Sequence, residues 1–383
     1  MNNPEGFLNQ NIVKDIAQHN VNITSNMASI NVTVKRKSEC VNGEDIEDEE
    51  ENEKTKRQRT SQEDHKTIDE NEEEVENDNM ETDEDVHSDT EDAVIFEIQE
   101  EFKTEFGLVT NLFQRKDGSM LACDNSEAHL LKCYRLENGQ LRTIQEIKDI
   151  KVFDIEEIGY SEIIMSFVGE SVIKRLTCEG AFEEIIDVSP FLIRAVHFTS
   201  SRNLLISVRE KGDVLPLRTI SQRKLLVMDS DGNHIHEYEH DENGERLFTV
   251  IGRVATKHDA IYVTDYTSYD MDGSVMSLRY PNKVEWRYTG SSQPRSNFRP
   301  CDILVTEDHR IVISDRDNNL IHILKPDSSV LSLIDTMSVG IRWPYSLAID
   351  HSGLMWIGCS EIKDLIRKKI FEAKLYIVKC SCV

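Results

Sequence analysis

Short apolar alternations broken by polar turns run through most of this chain of 383 residues. His309–Ser329 shows the unit. The β-branched run Ile311-Val312-Ile313 ends at Ser314-Asp315, and a polar turn, Arg316-Asp317-Asn318-Asn319, follows. A second alternation, Leu320–Leu324, then stops at Pro326-Asp327. Period-two apolar runs bounded by turn residues predict two short antiparallel strands. One such hairpin is marginal in water, so it needs neighbours to pack against.

The chain supplies them by repetition. Aligned on I-V-I-S-D, five further copies appear: Met120–Asp124, Ile163–Phe167, Leu204–Val208, Ile261–Asp265 and Met355–Cys359. Their last positions, 124, 167, 208, 265, 315 and 359, are 43, 41, 57, 50 and 44 residues apart. The penultimate residue is always small: Cys123, Ser166, Ser207, Thr264, Ser314 or Gly358. A period of 40–50 residues made of short strands is the signature of a β-propeller. The sequence therefore predicts an all-β fold, a six-bladed propeller over 93–383. A strand precedes each anchor, as in Asp302–Thr306 and Ser346–Ile349, and another follows it, as in Leu225–Met228. The sixth copy reaches only its third strand, Lys374–Lys379, while an orphan apolar run, 93–98, precedes the first. Pairing these two would close the ring and remove an exposed sheet edge.

Charge separates the rest of the chain from this domain. The formal net charge is −27, and 39–92 alone holds 25 acidic and 5 basic residues. Residues 1–92 contain one aromatic residue, Phe7. Such a segment cannot bury enough apolar surface to offset chain ordering, which predicts a disordered acidic tail over 1–92. There is no apolar run of 18 residues, which excludes a membrane-spanning helix, and the N-terminus lacks the apolar centre of a secretory signal. The eight cysteines are dispersed with no C-x-x-C pair. Several sit inside apolar strands and read as inert buried thiols, and the set reads as that of a reduced, intracellular protein with no zinc module.

The stretch 302–350 with its Arg299-Pro300 lead-in, reading R-P-x-D-I-x-V, I-V-I-S-D-x-x-N-N-L-I-H-I-L and W-P-Y-S-L-A-I-D, resembles consecutive NHL repeats. The likeness is to the NHL propellers of tripartite-motif proteins, in particular shortened invertebrate relatives. It is strong over 249–383, weak over 94–248 and does not touch 1–92. The ring finger, B-boxes and coiled coil of a full tripartite-motif protein have no counterpart here. The resemblance implies a six-bladed recognition domain that presents a bound protein to a ubiquitin ligase acting in another chain. It also implies an alternative, single-stranded RNA binding.

Candidate chemistry is sparse. The anchor aspartates Asp124, Asp265 and Asp315 suit loop N–H acceptors at strand ends; metal or catalytic carboxylates are the sharper alternative. Asp229–Asn233 and Asp270–Gly273 imitate half a calcium loop but lack the distant glutamate. The twelve histidines form no ligand cluster. A lactonase-like metal enzyme, the third reading, would need inward carboxylates and an asparagine around the axis, which the sequence does not assemble. No catalytic residue, metal or cofactor is expected.

The long insertions carry the functional expectation. Three loops between second and third strands, 209–222, 266–273 and 360–374, share one face of the disc. Arg209–Lys224 has five basic and two acidic residues; Ser360–Lys374 has five and three, with Ile362, Leu365, Ile366 and Ile370 at helical spacing. The partner-binding candidates are Arg209, Lys211, Arg218, Arg295, Phe298, Arg299, Arg342, Trp343, Tyr345, Arg367 and Lys368. A locally basic, aromatic face suits an acidic or phosphorylated protein, with RNA as the alternative. The strongest RNA cluster is Trp343 with Arg342 and Arg299. In the tail, Lys54, Lys56, Arg57 and Arg59 match a nuclear-import pattern, which leaves nucleus and cytoplasm both open. Thr82 and Ser88 have an acidic residue three positions on, the context of acidophilic kinases. The protein is expected to be monomeric and not bound to a membrane.

Overall fold

A computed structural model of the protein describes residues 33–34 and 95–381, apart from 127, 159–161, 178–179, 292–296, 361–362, 365–368 and 371–372. Apart from 33–34, the tail reading over 1–92 therefore falls on residues outside the described ones, as do the import residues Lys54, Lys56, Arg57 and Arg59, and Thr82 and Ser88. So do Arg295, Arg367 and Lys368. Thr33–Val34 is described as a short strand antiparallel to Phe182–Asp187.

Six antiparallel sheets build the ring, five of four strands and one, blade two, of five, because Thr33–Val34 adds to its outer edge. In blade one the strands are Asn111–Gln114, Met120–Asp124, Leu130–Glu137 and Gln140–Lys148. The innermost strands of the next five are Val152–Ile158, Leu192–Phe198, Ile251–Lys257, Pro300–Val305 and Pro344–Ile349. The second strands are the six repeated runs, and all of them are buried along nearly their whole length. The one helical element among the described residues is a single 3₁₀ turn, Thr336–Val339. No helix is long and apolar enough to cross a membrane, a statement that leaves strand-based spans untouched.

Blade six takes its outer strand from the start of the domain. Phe96–Lys103 pairs with Lys374–Cys380, with Ile98 opposite Val378 and Phe102 opposite Leu375. The strand is longer than its apolar run suggests. Phe96, Ile98, Glu100 and Phe102 are half-buried, and Glu97, Gln99, Glu101 and Lys103 are exposed. An outer strand has one wet face, so glutamates belong in it.

Apolar faces of successive blades form the core. Ile164 and Ile173 of blade two meet Ile193, Ile206 and Leu226 of blade three. Across the ring closure, Met120, Ala122 and Leu130 pack on Trp356, Leu375 and Ile377. The small penultimate position has a steric reason. The Ser314 hydroxyl donates to the Tyr345 carbonyl of the next blade at 2.6 Å and accepts from Asp302 N–H at 3.0 Å. A Cβ on Gly358 would clash with Ser346 and Val109. The buried cysteines are inert, as their dispersal suggests: burial pushes the Cys123 and Cys301 thiols up to about 12.

In the 360–374 insertion, Lys363–Asp364 pairs antiparallel with Lys369–Ile370, a narrow ribbon of two residues a side. Of the apolar positions at helical spacing, Ile362, Leu365 and Ile366 lie outside the described residues.

Candidate functional site

The innermost strands share a defect that builds the centre of the disc. In blades two to six the pairing register shifts, between Val152 and Asp154, Ile193 and Val196, Ile251 and Val254, Pro300 and Asp302, and Pro344 and Ser346. A bulge adds a residue and re-aims its neighbours. It places Phe153, Arg194, Arg253, Cys301 and Tyr345 where simple alternation would not.

Arg253 fills the axis. Its Nη1 donates to Asp154 Oδ1 at 2.8 Å and to the Phe153 carbonyl at 2.6 Å, and its Nη2 donates to the Thr110 carbonyl at 2.6 Å. Asp302 Oδ1 lies 3.8 Å from Nε. Asn111 Nδ2 also donates to Asp154 Oδ1, at 2.8 Å. One side chain thus ties blade four to blades one, two and five. Burial disfavours its charge, but the two carboxylates outweigh burial and raise its pKa above the ordinary value. Burial in turn raises Asp154 and lifts Asp302 to about 6, with Arg253 opposing both shifts. The other oxygens bind strands: Asp154 Oδ2 accepts from Val196 N–H at 3.1 Å and Asp302 Oδ2 from Leu347 N–H at 2.8 Å.

Two carboxylates and an asparagine do therefore meet at the axis, although the sequence did not show them. A guanidinium already donates to Asp154 and lies beside Asp302, whose oxygens accept from Ile303 and Leu347 N–H. These residues do not fit a bound metal, and among the described residues no cluster of three or more His, Cys, Asp or Glu could hold one.

The anchor aspartates act as turn acceptors. Asp124 Oδ2 accepts from Gly107 and Leu108 N–H, at 2.9 and 3.1 Å. Asp265 Oδ1 accepts from Thr249 and Val250 N–H, at 2.8 and 2.7 Å. Asp315 accepts from Asn318 Nδ2 at 2.7 Å. Asp229 closes its own turn on Asp231 and Asn233.

Several partner-binding candidates belong to the framework. Phe298 is 5% exposed and packs on Tyr288 with the rings at 81°. Arg299 is 6% exposed, with Nη1 on Asp317 at 3.0 Å and Nη2 on Met271 Sδ at 3.3 Å. Both lie on the lead-in to an innermost strand, where neighbouring blades converge and loop residues are covered. This correction also removes Arg299 from the RNA cluster, leaving Arg342, which is exposed, beside half-buried Trp343. The Trp343 N–H donates to Asn319 Oδ1 at 2.8 Å, and the Tyr345 side chain is half-buried.

Cations collect instead over blades three and four. We call the face carrying the second-to-third-strand loops the upper face. There the 210–222 arch packs Leu215 against Val250 and Tyr266, with Val214, Leu217 and Met271 around them. Six cations gather by the arch: Arg194, Arg209, Lys211, Arg218, Arg223 and Arg246. Arg223 pairs with Glu210, and Arg218 with Asp213 at 3.5 Å. Among the described residues, Arg209, buried, reaches only the carbonyls of Glu210 and Gly212, at 2.9 and 3.1 Å, and Arg246 only those of Ser221 and Thr219. Arg194 Nε donates to the Ile251 carbonyl at 2.7 Å. Lys211 is exposed. Among the described residues, four of the six have no carboxylate within ion-pair distance. Burial, then repulsion from Arg209 and Arg253, pushes Arg194 down to about 10; burial, then Arg209, Arg246 and Arg194, does the same to Arg223.

Of the sequence candidates, Arg209, Lys211 and Arg218 thus share one site, and Arg342, Trp343 and Tyr345 lie in blade six and its lead-in. Arg194, Arg246 and Arg253 were missed, since each is a lone arginine in or beside an unremarkable strand.

Further down the innermost strands, His197 Nδ1 lies 3.1 Å from Glu156 Oε2, and its Nε2 lies 2.9 Å from Thr256 Oγ1. The three side chains form a carboxylate–imidazole–hydroxyl relay across blades two, three and four.

No protein-family profile matches the sequence, and no curated protein matches it. Solved structures do match its shape. Luciferin-regenerating enzyme is similar with a TM-score of 0.56 at 12% identity, over 75% of this chain and 95% of that one. The PQQ-bound aldose sugar dehydrogenase of Streptomyces coelicolor gives 0.54 at 11%, over 75% and 98%. A gluconolactonase of Xanthomonas campestris gives 0.52 at 8%, over 72% and 88%. At such identities the likeness carries the fold alone: the chain is a six-bladed β-propeller.

Proposed function

We propose that this protein is a non-catalytic recognition propeller that captures an acidic or phosphorylated protein on the upper face of blades three and four. The observation that carries this reading is the cation cluster around the 210–222 arch, in which Arg194, Arg209, Lys211 and Arg246 have no carboxylate within ion-pair distance among the described residues. The 93–383 region has a formal charge of −9, so a basic patch on it is a local departure that a complementary partner would use. The NHL-like motifs support a role of this class, as an adaptor to a ubiquitin ligase acting in another chain. The proposal places it in the nucleus or cytoplasm, as a monomer.

The test is affinity capture by the full-length protein with Lys211→Glu and Arg218→Glu combined. Both side chains are exposed, so folding stability should change by no more than about 0.5 kcal/mol each. Partners held by the wild type should be lost. Undiminished capture by a variant that melts normally would place the working surface elsewhere.

A hydrolase is the second reading, favoured by the Thr256–His197–Glu156 relay, which has the connectivity of an activated hydroxyl. Turnover of p-nitrophenyl acetate by the full-length protein, abolished in His197→Gln, would support it. Equal background rates in both proteins would remove it.

A further inference from the structure

Arg194 differs from the other cations of the upper face in how it is held. Its Nε donates to the Ile251 carbonyl at 2.7 Å, and its guanidinium carbon lies 4.4 Å from the centre of the Phe153 ring. One edge and one face of the group are therefore fixed. Its Nη1 and Nη2 have no protein partner among the described residues, and neither is a fully buried atom. Arg209, from the adjacent strand of the same blade, is pinned through Nη1 alone. Its Nε and Nη2 are likewise without a protein partner among the described residues. The phenols of Tyr266 and Tyr345 lie within the field of Arg194.

Arg209 is paired with Leu192, two positions from Arg194, and two like charges so placed, one buried and one half-buried, are unfavourable without an anion near them. Arg253, the third cation nearby, is already balanced by Asp154 and Asp302 and adds no demand of its own. A fixed plane with an open N–H fork is pre-organised for an oxyanion, because little rotamer freedom remains to be lost on binding.

We infer that Arg194 and Arg209 form a site for the phosphoryl group of a phosphorylated protein side chain. This inference rests on the upper-face reading above and narrows it to one chemical group. A carboxylate fills a single fork, whereas a phosphate monoester offers three acceptor oxygens and close to two negative charges, enough for both. Arg209 is only 5% exposed, so a ligand would have to reach it with a small terminal group. The diester backbone of a nucleic acid does not present such a terminus, and the −9 domain repels a long polyanion.

The probes are phenyl phosphate, benzoate and an octaglutamate peptide, titrated calorimetrically into the full-length protein at constant ionic strength. Phenyl phosphate should bind at least tenfold more tightly than benzoate, and more tightly at pH 7.5 than at pH 5.5, where it is largely monoanionic. Arg194→Lys keeps the charge but loses the fork, and should weaken phenyl phosphate at least tenfold while leaving the ligand-free melting temperature unchanged. Phe153→Leu, which removes the stacking platform and keeps both arginines, should weaken it severalfold and serves if the lysine variant does not fold. Equal binding of phenyl phosphate and benzoate, or phosphate binding indifferent to both variants, overturns the inference. If octaglutamate still binds in that case, the acidic-partner reading stands without it. If neither octaglutamate nor phenyl phosphate binds, both fail.

Discussion

Arg253 and Asp154, 99 residues apart in the chain, meet at 2.8 Å on the axis of the disc. The contact joins blade four to blade two. Through the Thr110 carbonyl and Asp302, the same side chain also reaches blades one and five.

Replacing Arg253 by Met should therefore act on the whole ring. It leaves two buried carboxylates without their counter-charge and two carbonyls without a donor. Removing one partner of a buried pair costs about 3–5 kcal/mol. The denaturant midpoint should fall accordingly. Adding Asp154→Asn and Asp302→Asn should recover part of the loss; a further loss instead would show that the carboxylates matter mainly through Val196 and Leu347.

Acidity should shift stability in an unusual direction at the axis. Burial lifts Asp302 from 3.8 to about 6 in the folded protein. Between those values the folded state holds a proton that the unfolded chain releases. The stability this group contributes is thus full below about 4 and is lost as the pH rises through 6. Asp265, also lifted by burial to about 6, adds a shift of the same sign. Relative to Asp302→Asn, the wild type should gain stability as the pH falls from about 7 to 5, measured by chemical denaturation. A constant difference across that range would show that Asp302 titrates normally.

Gly358 should tolerate no side chain. A Cβ there would overlap the Ser346 hydroxyl, in an innermost strand, and Val109, which is fully buried just before another. Overpacking of this kind costs about 1–3 kcal/mol, so Gly358→Ala should lower the thermal midpoint and Gly358→Val should lower it further. Gly353, whose Cβ would meet nothing but whose φ is +79°, is the comparison: its alanine variant should show backbone strain alone.

The closing strand should be needed as a unit. A protein beginning at Thr104 loses all of Phe96–Lys103, the neighbour of Lys374–Cys380. It also loses Phe102 from its stack on Trp356, where the ring centres are 6.5 Å apart. The exposed edge should appear as aggregation or a markedly lower melting temperature in a thermal scan. A truncated protein that melts like the full chain would mean that blade six is stable with three strands.

The blade count was legible in the sequence because it is a local property. Each second strand is buried on both sides, so Ile311–Asp315 and its five sisters appear as apolar runs, and the ring repeats them at a nearly constant period. The small residue before each anchor was legible too, although its cause, the tight approach of the neighbouring innermost strand at Ser314 and Tyr345, belongs to the assembled ring.

The site depended on tertiary structure for two physical reasons. A bulge in an innermost strand breaks the period of two, so the direction in which Arg194, Arg253 or Tyr345 points cannot be counted from its neighbours. Ring closure also brings residues of distant blades to one axis. A lone arginine at 253 finds Asp154 and Asp302 there, while Arg299, conspicuous beside Phe298 and Pro300, is covered by Asp317 and Met271. The sequence by itself determined which side chains carry charge and how often the strand unit recurs. Which charges face each other, and which face water, was decided only when six innermost strands, five of them bulged, closed around one axis.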